Sequence, residues 1–349
     1  MKGLAQGICD IIHDYHAGRA NFDNKHVIKW VSQFDEGDQK FILEEFLHLL
    51  KQNIYISEKK AKSILIEHID SLAKHFKFKD TISFLKNVEF MRVQDKYKSQ
   101  TVLLSILDKE LINKYDFAVK DCGSVSKKYV VYLDDVLATG GTIFEDCKDW
   151  LDTQNEDGEK NFDKIAKKEK IFILSLLCKH TWGADNIQWR LKYHFGDDRI
   201  LDKIKFQSHY KIENHPSKPE QKLNFIYPVV DDQTQMVLEY FNNLDATYKG
   251  EFAFRKSNSP NNETFFSSPK SRKRFENILL NKGVELLNMP RKFLQRNHRP
   301  LGVSSPSNKL LGTGTMFFTW RNVSNTTPIV FWWKLEWYPL FELDNRGIH

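Results

Sequence analysis

The segment that most constrains the fold is Tyr129-Val-Val-Tyr-Leu133, a β-branched and aromatic run that ends on two acids, Asp134 and Asp135. A run this short and this uniformly apolar is written like a strand buried on both faces. It enters Val136-Leu-Ala-Thr-Gly-Gly-Thr142, and a helix-like stretch, 143–151, follows. Upstream, Val88-Glu-Phe-Met-Arg-Val93 alternates as a strand does, 94–100 reads as a polar loop, and 101–112 as a helix. Downstream, a charged connector (152–170) leads to a second buried strand, Ile171-Phe-Ile-Leu-Ser-Leu-Leu177. Strands and helices alternating in this way predict a parallel α/β sheet, because parallel neighbours need a crossover. Further strands are expected at 204–210 and 223–230, and a helix at 234–242.

The residues before this core recur at helical spacing. Val27, Trp30, Val31 and Phe34 form one apolar stripe, and Ile64, Leu65, Ile69, Leu72 and Phe76 another. Asn24, Asp38 and Ser57 are the expected N-caps. The predicted organisation is a helical module over 1–85, an α/β core over 86–245 and an α+β module over 246–349. With 349 residues, 41% hydrophobic and 28% charged, the chain has material for several ordinary cores. No apolar run reaches the roughly 20 residues that span a bilayer, so no membrane partner and a cytoplasmic location are expected. Cys9, Cys122, Cys147 and Cys178 lie far apart without zinc-ligand spacing; buried free thiols are expected, and neither zinc nor haem. His13 and His16 are too few ligands for a metal site.

The turn after the strand carries the chemistry. Asp134 and Asp135 fall at the carboxyl end of a parallel strand, where open α/β sheets bind ligands. Ala138, Thr139, Gly140, Gly141 and Thr142 follow at a helix start, and two glycines at positive φ leave backbone amides open to a phosphate. Carboxylates beside a bare phosphate would repel it. They fit a ligand that places a vicinal diol a few ångströms from its phosphate, since a carboxylate accepts two hydroxyl protons well. That describes a ribose 5-phosphate.

The sequence Val131-Tyr-Leu-Asp-Asp-Val-Leu-Ala-Thr-Gly-Gly-Thr142 resembles the phosphoribosyl-pyrophosphate (PRPP) binding motif of type I phosphoribosyltransferases. The resemblance implies that Asp134 and Asp135 face the ribose hydroxyls, that 138–142 grip the 5-phosphate, and that Mg²⁺ is bridged by the ligand near the two acids. In the place of that family's pyrophosphate loop stand Lys96 and Lys98, which neutralise a pyrophosphate, and Ser99, a candidate cap of the following helix, or else the three form a solvated basic loop. The stretch between Ser99 and Asp134 is shorter than the family layout, which puts transfer chemistry in more doubt than ligand binding. Trp30-Val-Ser-Gln-Phe34, Arg299-Pro-Leu-Gly302, Gly314-Thr-Met-Phe-Phe-Thr-Trp-Arg-Asn322 and Thr327-Pro-Ile-Val-Phe-Trp-Trp333 are similar to the PRTase-CE proteins of bacterial conflict systems. Those are phosphoribosyltransferase-like effectors of antiviral defence loci, some encoded beside retron reverse transcriptases. The resemblance thus implies an effector acting at the anomeric carbon of a nucleotide, with the reverse transcriptase and its nucleic acid as partners. A PRPP or nucleotide sensor without turnover, and a nucleic-acid-binding or scaffolding subunit, are the alternatives.

Two features lie beyond the core. Pro269-Lys-Ser-Arg-Lys-Arg274 and Arg291-Lys-Phe-Leu-Gln-Arg-Asn-His-Arg299 bracket an expected helix at 275–287. Arg272, Lys273, Arg274, Arg291, Lys292, Arg296 and Arg299 either meet nucleic-acid phosphates, through the stretch 270–299, or form a solvated face. Arg321, with Asn322 and Asn325, ends an aromatic strand and is expected to act on the reacting group from a hood.

Overall fold

The computed structural model describes residues 1–15, 22–95, 98–201, 203–215, 222–248, 252–289 and 295–343. In chain order its elements are α1 (Lys2–Ile12), α2 (Asn24–Val31), α3 (Glu36–Leu49), β1 (Tyr55–Ile56), α4 (Glu58–His75), α5 (Thr81–Leu85), β2 (Val88–Phe90), α6 (Ser99–Tyr115), β3 (Tyr129–Leu137) and α7 (Gly141–Asp152). There follow α8 (Asn161–Ala166), β4 (Ile171–His180), α9 (Thr181–Phe195), β5 (Ile204–Ile212), α10 (Gln235–Asn242), α11 (Pro269–Asn288) and β6 (Phe318–Thr319). Among the described residues no helix is long and apolar enough to cross a membrane.

Contacts divide the chain into two compact units, Lys59–Lys211 and the combination of Met1–Glu58 with Ile212–His349. This differs from the three modules expected of the sequence, since the N- and C-terminal stretches share one core.

The continuous unit holds a four-stranded sheet in the order β2-β3-β4-β5. β2 runs parallel to β3 and β3 parallel to β4, with Val131 opposite Ile173 and Asp134 opposite Leu176. Side chains alternate across a sheet. Val130 and Tyr132 of β3, with Phe172, Leu174 and Leu176 of β4, join a buried cluster with Ile143, Cys147, Ile165, Ile187 and Leu191 from α7, α8 and α9. The odd positions meet other elements: Ser175 bonds His68 of α4 at 2.8 Å, and Tyr129 packs on Phe76, Phe78 and Phe84. Both faces are therefore covered, which is why β3 and β4 read as unbroken apolar runs.

In the discontinuous unit the N-terminal helices pack on the C-terminal aromatic chain. Trp30 stacks on Phe331 with centroids 5.5 Å apart, and its indole N–H donates to the Val330 carbonyl at 2.8 Å. Phe46 meets Phe318 and Phe331. β1 pairs parallel with β6 through Tyr55–Phe318 and Ile56–Thr319.

Several expected elements came out differently. Residues 223–230 form no strand beyond a bridge at Val229, because the Leu223 and Phe225 carbonyls accept the Arg272 guanidinium instead of a ladder. The aromatic runs at 316–322 and 329–333 give only β6 and a single 3₁₀ turn, Ile329–Phe331, whose surrounding carbonyls are met by the indoles of Trp30, Trp332 and Trp337. The cap of α2 is Asp23, one residue before the expected Asn24, and it accepts the His26 amide; that of α3 is Asp35, three residues before the expected Asp38, with no side-chain cap bond. Cys9, Cys147 and Cys178 are buried free thiols as expected, while Cys122 is half-buried. His16 lies outside the described residues.

Candidate functional site

The site is built where β3 ends. Asp134 is buried, and Asp135, beside it, is partly exposed. Both acids stand at the strand end, but only Asp135 reaches solvent. Asp134 does not, because the Ser99 hydroxyl at the start of α6 closes over it and donates to its Oδ1. The Asp135 amide donates to the same oxygen at 2.8 Å. The second oxygen has a weaker neighbour, the Tyr132 hydroxyl at 3.4 Å, whose single proton is already given to Asp146 of α7 at 2.6 Å. Of the two oxygens Oδ2 thus has the weaker hydroxyl donor, and the Asp135 side chain also bonds the Asp134 carboxyl. Burial, and then the charge of Asp135, push the Asp134 carboxyl up to about 7. Asp135 accepts the Val136 amide at 2.8 Å.

The turn that follows has one glycine, not two, in the left-handed region. Gly140, with φ 80°, is the N-cap of α7; a Cβ there would meet Ile187 at 2.8 Å. Gly141 is already helical and a Cβ there would enter open space. This corrects the expectation of positive φ at both. The open space at Gly141 and the exposed Thr142 leave the first turn of α7 accessible, and the helix dipole there favours an anion.

Helix α9 braces the turn from behind. Gly183 lies so near that a Cβ would sit 1.9 Å from the Ala138 carbonyl oxygen, and Asn186 donates to the Thr139 carbonyl at 2.9 Å. His180, fully buried where β4 meets α9, is driven down to about 3 by burial and is neutral at physiological pH. Sequence reasoning missed all three. No local motif marks them, since a helix glycine gains meaning only from the backbone it approaches.

A second network ties in the loop after β2. Gln94 donates to the Tyr132 hydroxyl and to Asp146, each at 2.8 Å. Gln100 accepts the Val93 amide at 2.9 Å and the Gln94 amide at 3.2 Å. Lys98 is exposed at the N-cap of α6. Lys96 lies outside the described residues. Sequence reading had picked out Lys98 and Ser99 but not Gln94, Gln100, Tyr132 or Asp146, whose role depends on pairing at a distance.

The basic residues fare differently. Arg272 is buried, salt-bridged to Glu263 and, at 3.1 Å, to Glu276, and Arg255 meets Glu276 at 3.0 Å. Arg299 is buried against the carbonyls of Leu310, Arg296 and His298. Neither is placed to meet a phosphate from solvent, against expectation: a guanidinium in the interior is held by whatever acceptors the fold supplies. Lys273 pairs with Asp232, Arg274 with Asp38 at 2.7 Å and Arg296 with Asp245 at 2.7 Å. Arg291 and Lys292 lie outside the described residues. Arg321 is partly buried in the discontinuous unit, just past β6. Asn322 spends its side chain on the Val323 amide, as a turn residue does.

A parallel α/β sheet with paired acids at a strand end and an open glycine turn opening the next helix defines a phosphoribosyltransferase-like protein. The chain belongs to the PRTase-CE family, whose model matches residues 27–343. That span takes in both compact units. Comparison with curated proteins and with solved structures found no match.

Proposed function

We propose that the protein binds PRPP, or a nucleotide carrying a ribosyl 5-phosphate, at the carboxyl end of β3 and acts at its anomeric carbon. The observation that carries this reading is the adjacency of Asp134 and Asp135 to the accessible first turn of α7. The 5-phosphate would take the amides of that turn, and the diol would take Asp135 and the Oδ2 of Asp134. The Ser99 hydroxyl occupies the other oxygen, Oδ1, so the ligand hydroxyl would meet Oδ2. In the reaction the bond from the anomeric carbon to the leaving phosphate breaks with its electron pair going to the leaving group. A nucleophile or water supplies the new bond and gives up a proton.

Among the described residues no group of three or more His, Cys, Asp or Glu is arranged to hold a metal by itself. A Mg²⁺ would be completed by ligand oxygens beside Asp134 and Asp135, an all-oxygen set that suits this ion. It would neutralise charge on a departing pyrophosphate. The cellular role that accords with the family is that of a cytoplasmic effector in a bacterial anti-phage defence system, with a retron reverse transcriptase and its nucleic acid as the partner.

One observation favours a second reading, a sensor that binds without turnover. The chain passes from β2 through α6 to the adjacent β3 with no strand between, which leaves little chain for a mobile catalytic loop. Calorimetry with PRPP and Mg²⁺, followed by mass spectrometry of a nucleotide extract incubated with the protein, separates the two. Binding with release of pyrophosphate or a changed nucleotide supports the enzyme. Tight binding with an unchanged extract supports the sensor. The Asp134→Asn/Asp135→Asn double variant should lose about 1.5–3 kcal/mol of affinity for each charge-assisted bond removed. Equal affinity in variant and wild type would rule out the ribosyl-phosphate site altogether.

A further inference from the structure

We infer that Gln94, Tyr132 and Asp146 form a positioning bridge between the phosphate turn and the β2–α6 loop, and that this bridge selects ligands carrying phosphate on both sides of the ribose; the inference rests on the ribosyl-phosphate reading of the same site. Asp146 stands one turn along α7 from Thr142, on the same helix face. It therefore moves with the amides proposed to hold the 5-phosphate. Its Oδ2 accepts from two directions, from the Tyr132 hydroxyl at 2.6 Å and from the Gln94 amide at 2.8 Å. The other Gln94 N–H goes to the Tyr132 oxygen at 2.8 Å, which closes a triangle among β3, α7 and the loop.

Gln94 is held equally firmly on its loop side. Its amide reaches Gln100 Oε1 at 3.2 Å, its carbonyl accepts the Thr101 hydroxyl at 3.1 Å, and its side-chain oxygen accepts the Gln100 amide at 3.3 Å. The Lys98 amide closes on the Asp95 carbonyl at 3.2 Å. The two ends of the loop are thus stapled to each other, and the staple is bonded to α7. Ser99, whose hydroxyl caps Asp134, belongs to the stapled end. A neutral amide spanning a tyrosine and a carboxylate has no catalytic chemistry of its own. It sets the separation between the phosphate turn on α7 and the start of α6, the two places where anionic groups of a ribosyl ligand would end. A ligand with phosphate at only one end gains nothing from that separation.

The test compares dissociation constants for PRPP and ribose 5-phosphate, both with Mg²⁺, in wild type, Gln94→Leu, Asp146→Leu and Asp146→Asn. Hydrogen exchange at the Val93, Gln94 and Gln100 amides of the free proteins is measured in parallel. Gln94→Leu keeps the volume and removes both donors. It should lower the preference for PRPP over ribose 5-phosphate by about tenfold, the order expected for losing one or two hydrogen bonds, and speed exchange at those amides. Asp146→Leu should do the same. Asp146→Asn, which keeps an acceptor oxygen in place, should lose less than Asp146→Leu, a difference that a merely structural carboxylate at a helix surface would not produce. A wild-type preference and wild-type exchange in the folded Gln94→Leu and Asp146→Leu variants would overturn the bridge. Absence of binding of both ligands to the wild type overturns the ribosyl-phosphate reading and the selectivity with it, whereas a wild-type ligand preference in the variants leaves that reading standing.

Discussion

The two compact units use charge in opposite ways. In the continuous unit Asp134 is a buried acid with the Ser99 hydroxyl and the Asp135 amide on it and no cation among its bonds, and burial raises its carboxyl to about 7. In the discontinuous unit Glu276 is also fully buried, but Arg272 and Arg255 flank it and Glu263 completes the set. Burial raises Glu276 too, while the two guanidinium groups pull against it. An acid buried with counter-ions is part of the packing. One buried without them, at a strand end beside an open helix start, is a candidate functional group. That difference separates function from architecture here better than charge content does, since the stretch around Arg272 is rich in charge and yet Arg272 itself is buried in ion pairs.

The largest effect should come from breaking the charge network in the discontinuous unit. Arg272→Met leaves Glu263 without its guanidinium and Glu276 with Arg255 alone, and should cost about 3–5 kcal/mol in a denaturant titration. A loss of nucleic-acid retention in the folded variant with no loss of stability would reverse the comparison and return Arg272 to a surface role.

Next in size, Asp134→Asn should stabilise the protein at alkaline pH. With its folded pKa raised above the ordinary value near 4, Asp134 binds more protons folded than unfolded, so its cost appears as pH rises from about 4 through about 7. The variant should exceed wild type by on the order of 1–3 kcal/mol at pH 8, and the gap should close below pH 4. Ligand affinity in the wild type should rise over the same window, because a diol is best held by the ionised acid. A stability difference that is flat from pH 4 to pH 8 would mean that Asp134 is compensated like Glu276.

The smallest effects sharpen the turn itself. Gly140→Ala forces a Cβ into Ile187 at a left-handed backbone and should destabilise by about 1–2 kcal/mol. Gly141→Ala enters open space at a helical position and should change stability by no more than about 0.5 kcal/mol. Thermal unfolding of the pair checks this, and equal shifts would mean that the left-handed glycine has been misplaced.

How much could be read from the chain differs between the units for a physical reason. A strand buried on both faces, a pair of acids and a glycine turn lie within fourteen consecutive residues, Tyr129 to Thr142, so local pattern alone marked β3, the start of α7 and the ligand-facing groups. The same holds for β4 and for α10, whose Thr234 cap accepts the Val237 amide. What the local pattern could not supply was which groups meet across the chain. Ser99 over Asp134, Gln94 on Tyr132 and Asp146, and Gly183 against Ala138 join residues far apart in sequence, and only folding brings them within bonding distance.

The sequence by itself determined the alternation of strands and helices, the parallel sheet and the candidate ribosyl-phosphate turn, because periodicity and backbone freedom are properties of neighbouring residues. The tertiary structure decided the rest. It placed Trp30 on Phe331 and so merged the two ends of the chain in one core, limited strand pairing in the aromatic run 316–322 to Phe318–Thr319 and gave 329–333 a 3₁₀ turn, and drew Arg272 and Arg299 into the interior. In each case the outcome depended on which distant acceptor or ring satisfied a buried polar or aromatic group. That is settled by the energy of desolvation across the whole fold, and no local stretch of residues carries it.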